Sequence, residues 1–406
     1  MLHFLQIALR DLGRNRRRSF LSALALGGGL SLLLLIAGVI NGEVGGAMTS
    51  SIKLQSGHLQ VRAKTYDDTK SSLAYEDLLE NPDALVSKIA SLPQVAVATP
   101  RLFAGGFITQ GDESFGVRVV GIDPASPAND PFRQGLLSGQ FLAADDRQGI
   151  LIGQLLANKL SLKTGDTIHL VVNTSNGTTD DQPFIIRGTY TTHAPGYDRT
   201  TVFMPMAKAQ TITQTENHAS TIFILLKDRA QTDLVAAAIP AGQYQVKTWV
   251  QLNDLLVQTE SLYGAYTFLI YLIVLGITAT VIVNTLIMSV FERTREIGIL
   301  SAIGMKSGRI MAMFFAESSL LAVGGILIGM LLGGVLILLF NQFGPDFSNY
   351  GINGLLIGDR IIATLTVKDA ITLVIAAFVV TLLAALYPAV LAARMEPIQA
   401  LHGGGN

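Results

Sequence analysis

The chain alternates between long apolar runs and one long region in which polar and apolar positions are mixed. A transmembrane helix needs about 20 consecutive, predominantly apolar residues. Four uncharged stretches meet this requirement, at 20–41, 261–291, 318–345 and 370–393, and the third pattern reaches back through Glu317 to residue 310. As a helix, the second stretch would measure ~46 Å against a hydrocarbon core of ~30 Å. We therefore predict four transmembrane helices, the second of which continues beyond the membrane as a stalk.

The mixed region between the first two apolar runs predicts a large α+β domain. Segments that alternate in polarity or are rich in β-branched residues favour strands; they are 58–62, 115–120, 167–172, 184–190, 200–204, 221–226 and 244–248. Segments with helical spacing are 82–91 (Asn81 as N-cap), 153–160, 207–214 and 232–238. Turn signals lie at Gly105-Gly106, Gly111-Asp112, Asn176-Gly177 and Pro195-Gly196. Residues 121–199 interrupt two βα-like portions, which suggests a subdomain.

The fold class is thus an α+β membrane protein, with four transmembrane helices and a mixed α/β extracytoplasmic domain inserted between helices 1 and 2. Basic residues mark cytoplasmic segments, and they cluster in the first 18 residues, in the 292–309 loop and at Arg394. We expect the protein to reside in the cytoplasmic (inner) membrane. Both termini and the 292–309 loop would then face the cytoplasm. The expected segments are 1–18 (interfacial elbow helix), 19–41 (helix 1), 42–260 (external domain), 261–291 (helix 2 with stalk), 292–309 (cytoplasmic loop), 310–344 (helix 3), 345–366 (external loop), 367–393 (helix 4) and 394–406 (tail).

Composition supports a membrane protein. Hydrophobic residues make up 50% and charged residues only 15% of the chain, against about 25% charged residues in ordinary soluble proteins. The net charge of −1 hides an asymmetry, because residues 42–262 hold 17 basic and 22 acidic residues while the remainder is basic. Arg17-Arg18-Ser19-Phe20-Leu21 matches a twin-arginine export signal, but the 22-residue apolar run exceeds the roughly 7–15 residues of a signal peptide.

The motifs of common enzyme and cofactor sites are missing from the sequence. Gly304-Met-Lys-Ser307 lacks the first glycine and the spacing of a P-loop, and no His-Glu-x-x-His or Gly-x-Ser-x-Gly pattern occurs. There is no cysteine, and the six histidines are isolated from one another in sequence. We expect no catalytic, metal or cofactor site on this chain, and nothing in its charge pattern points to nucleic acid.

The most informative segment is the predicted cytoplasmic loop, residues 291–309. Ile297, Leu300 and Ile303, with Ile299, form an apolar stripe at helical spacing, with charged residues on both sides. A short amphipathic helix of this kind can place apolar side chains in a groove of a partner protein. The alternative is a loop helix that rests on lipid headgroups.

Three motifs resemble the permeases of the FtsX/MacB superfamily of ABC transporters. They are the Glu-Ile-Gly-x-Leu-x-Ala-x-Gly run at 296–304, the Pro-x-x-x-Ala-x-Arg-x-x-Pro-x-x-Ala-Leu tail at 388–401 and the opening at 8–19. Within the superfamily, the external region is most similar to lipoprotein-releasing (Lol-type) permeases, through 56–61, 119–124 and 197–205. Macrolide exporters share the same plan.

The resemblance implies a mechanism and its partners. Two permease chains, identical or homologous, would pair above a dimer of ABC ATPase subunits, which would carry the ATP and Mg. Closure of the ATPases would move the stalk and then the external domain. The implied ATPase-coupling residues are Glu292, Arg293, Arg295, Glu296, Gly298, Leu300, Ile303 and Gly304. Glu296 would make a polar contact to the ATPase, and Gly298 and Gly304 would allow close approach.

In Lol-type members the substrate would be an acylated lipoprotein, held between the first and second helices of the two permeases and passed on to a periplasmic acceptor. The residues expected to line that cavity are Ile40, Val44, Met48, Leu262, Tyr263, Tyr266, Leu269 and Ile270. Two other functions stay open: a macrolide-exporter-type permease for peptides or small molecules, and an FtsX-like signalling permease that controls a cell-wall hydrolase.

Two features inside the third apolar run call for an explanation. Gly325, Gly329 and Gly333 repeat every four residues, a spacing that lets membrane helices approach closely; we expect packing within one chain. Glu317 lies within the run, and an acid at such a position needs a partner. We expect Arg309 or a helix end to neutralise it.

Overall fold

The computed structural model describes residues 10, 13, 16–67, 72–110, 113–240, 242, 244–347, 356 and 358–395. The predicted elbow helix at 1–18 and the end of the tail motif therefore lie largely outside the described residues. The chain divides into two compact units. The helical unit comprises Met1–Gly42, Glu260–Gly344 and Ile362–Asn406, and the sheet unit comprises Glu43–Thr259 and Pro345–Ile361.

The described elements follow one another in chain order as helices and strands. The helices are α1 (Arg16–Ser51), α2 (Pro82–Ala90), α3 (Asp130–Gln134), α4 (Gln154–Lys159), α5 (Pro195–Asp198), α6 (Met206–Thr213), α7 (Thr232–Ala238), α8 (Trp249–Leu252), α9 (Asp254–Glu292), α10 (Thr294–Ala302), α11 (Ser307–Phe343) and α12 (Val367–Ala393). The strands are β1 (Leu59–Ala63), β2 (Leu79–Glu80), β3 (Val95–Gln110), β4 (Glu113–Ile122), β5 (Leu136–Gly139), β6 (Gly149–Gly153), β7 (Thr167–Asn173), β8 (Thr179–Tyr190), β9 (Thr201–Pro205), β10 (His218–Ala219), β11 (Thr221–Leu226) and β12 (Tyr244–Thr248).

Within the described residues, four helices are long and apolar enough to cross a membrane: α1, α9, α11 and α12. At 1.5 Å per residue, the 39 residues of α9 span ~58 Å, well beyond the hydrocarbon core. The same holds for α1, which continues eight residues past the polar Asn41-Gly42-Glu43 sequence that suggests an end. Both helices are therefore longer than the membrane requires.

Glycines bring α1 and α11 into close contact. A side chain on Gly27 would lie 2.9 Å from the carbonyl oxygen of Gly325, and one on Gly329 would lie 2.9 Å from the Cβ of Leu30. Gly333 approaches Leu34 in the same way. The predicted packing of the glycine repeat within one chain is confirmed. Leu26, Leu30 and Leu33 are buried at this contact, together with residues of α9 and α12.

In the sheet unit, ten of the described strands form one sheet in the order β12-β1-β11-β3-β4-β9-β6-β8-β5, with β7 beside both β3 and β8. The β4/β9 and β6/β8 pairs are parallel, and the others are antiparallel. Every strand expected from the sequence is present within a few residues, and so are the four expected helices of this region. Strands from residues 121–199 belong to the same sheet as their neighbours, so the sheet does not set that region apart.

The prediction of a turn at Gly105-Gly106 was wrong, because both glycines lie inside β3. One edge of β3 pairs with β11 up to Arg101 and then with β7 from Gly106. A Cβ on Gly106 would lie 2.7 Å from the carbonyl oxygen of Val171 on β7. Glycine inside a strand marks such a close backbone approach. Pro195-Gly196 likewise forms the start of α5 rather than an open turn.

Candidate functional site

A buried ion pair lies where α9 ends and α10 begins, and we call Ser289, Arg293, Glu296 and Glu317 the hinge cluster. The helix break falls at Arg293, and the hydroxyl of Thr294 donates to the carbonyl oxygen of Val290 at 3.1 Å. Arg293 Nε donates to Glu296 Oε2 on α10 at 3.2 Å, and its Nη1 lies 3.5 Å from Glu317 Oε2 on α11. The Arg293 and Glu317 side chains are only 10% and 9% exposed. One guanidinium thus contacts both the short helix and the next long helix.

The partner predicted for Glu317 was wrong. Arg293 neutralises it, and Ser289 Oγ also donates to Glu317 Oε1 at 3.4 Å. Arg309 is exposed near the start of α11. This contact is not apparent in the sequence, because Arg293 and Glu317 are 24 positions apart and lie on opposite sides of α10 along the chain.

The apolar stripe of α10 is partly buried in the chain and partly exposed. Ile297 is buried against Val290, Ile310 and Phe314, and Gly298 is buried beside it. Ile299 and Ile303 are exposed, the latter to 75%, and Leu300 is half-buried. Burial of Ile297 anchors the helix, and the exposed isoleucines form an uncovered apolar pair.

The predicted coupling residues therefore fall into two groups. Arg293 and Gly298 are buried, whereas the accessible members are Glu292, Arg295, Glu296, Ile303 and Gly304. Gly304 has a φ of 89° and open space around a Cβ. It follows the last helical turn of α10 in a left-handed conformation, a position that favours glycine. The backbone conformation gives a reason for glycine here within the chain itself, and the open space around Gly304 is compatible with the predicted close approach of a partner.

The same end of α9 is also tied to α1. Arg18 Nη1 donates to Glu292 Oε2 at 2.9 Å, and Ser22 Oγ donates to Thr285 Oγ1 at 2.9 Å. Sequence analysis missed the roles of Arg18 and Ser289, because a positive flank of a membrane helix and a serine within one have no distinctive pattern. Together with the hinge cluster, these contacts connect α10 to α1, α9 and α11.

The helix α9 carries exposed apolar side chains along much of its length. Tyr266 is 63% exposed, and exposed apolar residues recur along the helix at Leu262, Phe268, Leu269, Leu272, Ile273, Ile277 and Met288. Of the other predicted cavity residues, Ile40, Val44, Tyr263 and Ile270 are half-buried, and Met48 is 5% exposed. Met48 therefore offers little surface to a ligand.

Among the described residues, no group of three or more histidines and acids is placed to hold a metal ion. The candidate site consists of two kinds of surface: the short helix α10, with its charged and apolar side chains, and the apolar face of α9. Neither arrangement supplies a nucleophile with a base.

Comparison with known proteins identifies both parts of the chain. Residues 19–241 match the model of the MacB-like periplasmic core domain, and residues 268–397 match the FtsX-like permease C-terminal model. The first match alone covers more than half of the chain, and the second includes α10 and most of α9.

Several curated relatives share this organisation. The lipoprotein-releasing system transmembrane protein LolE of Haemophilus influenzae is 24% identical over 81% of this chain and 82% of its own length. LolC of Neisseria meningitidis serogroup B is 21% identical over 97% of both chains. The macrolide export ATP-binding/permease protein MacB of Neisseria meningitidis serogroup A is 26% identical over 64% of this chain, but only 41% of that protein is matched.

The two family matches, the four long apolar helices and the mixed sheet unit agree with one another. The predicted fold class is confirmed. The chain is a multi-pass membrane protein, and it belongs to the FtsX/MacB family of ABC transporter permeases of the MacB/LolC/LolE type.

Proposed function

We propose that this chain is the permease subunit of an ATP-driven complex that extracts a lipoprotein, or another hydrophobic substrate, from the outer leaflet of the cytoplasmic membrane. The observation that carries the proposal is the uncovered apolar face of α9, from Leu262 to Ile277. Relatives named for lipoprotein release match most of the chain, which supports this substrate class over soluble ones.

The α9 face has the chemistry of an acyl-chain contact. Leu262, Tyr266 and Leu269 are exposed and uncharged, and each buried methylene group of a ligand contributes about 0.8 kcal/mol. Tyrosine adds a polar hydroxyl to an apolar ring, which suits the region where an acyl chain joins its polar head. A second permease chain would close the other side of this surface.

The α10 helix is proposed to receive the force of ATP hydrolysis. Ile299 and Ile303 are exposed and fit an apolar groove in an ATPase subunit, and Glu296 adds a charged contact beside them. ATP and Mg would be bound by that partner. Arg293 joins α10 to α11 through Glu317. A movement of α10 would therefore be transmitted to the long helices through this ion pair rather than through a flexible loop.

We infer the orientation from the basic residues. By the positive-inside rule, Arg16, Arg17, Arg18 and the basic residues around α10 support a cytoplasmic location for these ends of the helices. The sheet unit would then lie outside the membrane, next to an acceptor for the released substrate.

The substrate contact is tested by site-specific photo-crosslinking. A photoreactive amino acid at Tyr266 is expected to label an acylated lipoprotein in the reconstituted complex, because that side chain faces outward from α9. The matched control is the same substitution at Leu327 on α11, which is also 63% exposed. Labelling at both positions to the same extent would contradict a specific contact, and labelling by a soluble peptide instead would favour an exporter.

A further inference from the structure

A cavity of about 710 Å³ opens within the sheet unit, in the size range of ligand-binding sites, about 300–1,000 Å³. It lies where β3 changes partners from β11 to β7, so that one edge of β3 is locally unpaired. Its walls come from β1, β3, β4, the end of β7, the turn after α1 and the start of α9. The cavity therefore lies beside the part of this β3 edge that has no strand partner.

Arg118 supplies a positive charge to this cavity. Its guanidinium carbon lies 4.2 Å from the ring centroid of Phe103, and the side chain is half-buried. In the part of the chain that the structure describes, it has no carboxylate partner and no side-chain hydrogen bond. A guanidinium stacked on a ring keeps its N–H groups free to bind a carboxylate or phosphate.

The surroundings of Arg118 are also positive. Arg62 is the other charged residue among those lining the cavity, and none of the described lining residues is acidic. Arg101 is fully buried nearby; burial lowers the pKa of Arg101 to about 10, and the charge of Arg118 acts in the same direction. An anion in the cavity would relieve this repulsion.

The polar wall is held in place by hydrogen bonds among its own residues. Arg62 Nε donates to Gln60 Oε1 at 2.9 Å, and Gln60 Nε2 donates to the carbonyl oxygen of Gln55 at 2.8 Å. On the other side, Asn253 Nδ2 donates to Ser56 Oγ at 3.0 Å. These buried groups need no ligand to satisfy them, so the cavity is preorganised.

The opposite wall is apolar. Leu252, Leu255 and Leu256 line it from the start of the α9 region, with Phe107 and Leu356. Leu255 and Phe107 are exposed to more than one third, while Leu356 is buried against the aromatic cluster beneath the sheet. The cavity therefore places one cationic group beside a set of hydrocarbon side chains.

We propose that this cavity binds an anionic amphiphile, with a carboxylate or phosphate head at Arg118 and a hydrocarbon chain along Leu252, Leu255 and Leu256. The head would make charge-assisted hydrogen bonds, and the chain would cover the exposed Leu255 and the half-buried Leu252 and Leu256. This site is separate from the α9 face, and it does not depend on which substrate the complex releases.

The test uses the full chain in nanodiscs of phosphatidylcholine. Three single-chain probes with the same diazirine-bearing tail are compared: a fatty acid, a lysophosphatidic acid and an uncharged monoacylglycerol. Cross-links are mapped by mass spectrometry. We expect the anionic probes to label residues 252–256, and the uncharged probe to label them about tenfold less.

Variants separate the charge from the fold. Arg118→Gln is expected to lower labelling by about tenfold, and Arg118→Lys to retain most of it. Arg147→Gln is the matched control, because Arg147 is an exposed arginine of the same unit outside the cavity. Leu256→Glu, which places an acid in the apolar wall, should abolish labelling independently of Arg118.

The probe that labels the cavity identifies the head group of the ligand. Labelling by the fatty acid alone assigns a carboxylate ligand, and labelling by the lysophospholipid alone assigns a phosphate one. Equal labelling by the uncharged probe, or unchanged labelling in Arg118→Gln while Trp249 fluorescence shows a folded sheet unit, would overturn the proposal. So would cross-links confined to residues outside the cavity.

Discussion

Individual charged residues determine how the end of the helical unit around α10 is held together. Arg293 is buried between Glu296 and Glu317, and a buried charge is stable only when it is paired and hydrogen-bonded. The sequence shows that Glu317 needs a partner but does not show which one, since the pairing depends on how α10 reverses the chain. This is a contact of tertiary structure, and no local pattern encodes it.

Removal of Arg293 tests the pair. Arg293→Met leaves Glu317 buried without its cation, which costs about 3–5 kcal/mol when a buried pair is broken. We expect a clear drop in the melting temperature of the detergent-solubilised chain. Adding Glu317→Gln to Arg293→Met should recover much of the loss, because the uncompensated charge is then gone. Equal melting temperatures for the single and double variants would show that the pair does not stabilise the fold.

At the scale of elements, apolar runs and small-residue spacing predict much of the structure. The four long helices and the close packing of the glycine repeat within one chain follow from them, whereas the identity of α1 as the packing partner is known only from the structure. The long strand β3 does not, because Gly105-Gly106 resembles a turn until both β11 and β7 are present as partners. The sequence also underestimates the length of α1. The apolar run ends at residue 41, but the helix continues through Gly42, Gly45 and Gly46 to Ser51.

The α1–α11 contact predicts the effect of one added methyl group. Gly329→Ala would place a Cβ 2.9 Å from the Cβ of Leu30, so the helices must separate, at a cost of about 1–3 kcal/mol for overpacking. Gly334→Ala on the same helix has open space and is the control. Thermal unfolding of both variants checks this, and equal stability would contradict close packing at Gly329.

A substitution on α10 is expected to change the coupling to ATP hydrolysis rather than the folding of the chain. Glu296→Ala removes a partly exposed carboxylate that is proposed to contact the ATPase, and we expect the ATP turnover of the complex to fall severalfold while the melting temperature of the chain stays near that of the wild type. Glu260→Ala, an exposed glutamate near the other end of α9, is the control. Unchanged turnover in Glu296→Ala would count against the coupling role.

At the scale of the whole molecule, sequence reasoning identifies the family and the two kinds of region, because these depend on long patterns and on motifs at 296–304 and 388–401. It does not find the cavity beside Arg118. That site joins residues of β1, β3, β4 and α9, which are separated by up to about two hundred positions and share no spacing. Binding sites built from sheet edges become visible only when the strand order is known.

The proposed coupling of ATP hydrolysis to the release of an acylated substrate is open to a direct assay. The chain, reconstituted in lipid with its co-purifying ATPase, is assayed for ATP hydrolysis with acylated lipoprotein, with the deacylated form and without substrate. We expect stimulation by the acylated form alone, because only that form presents hydrocarbon chains to the α9 face. Equal rates in all three conditions would contradict it.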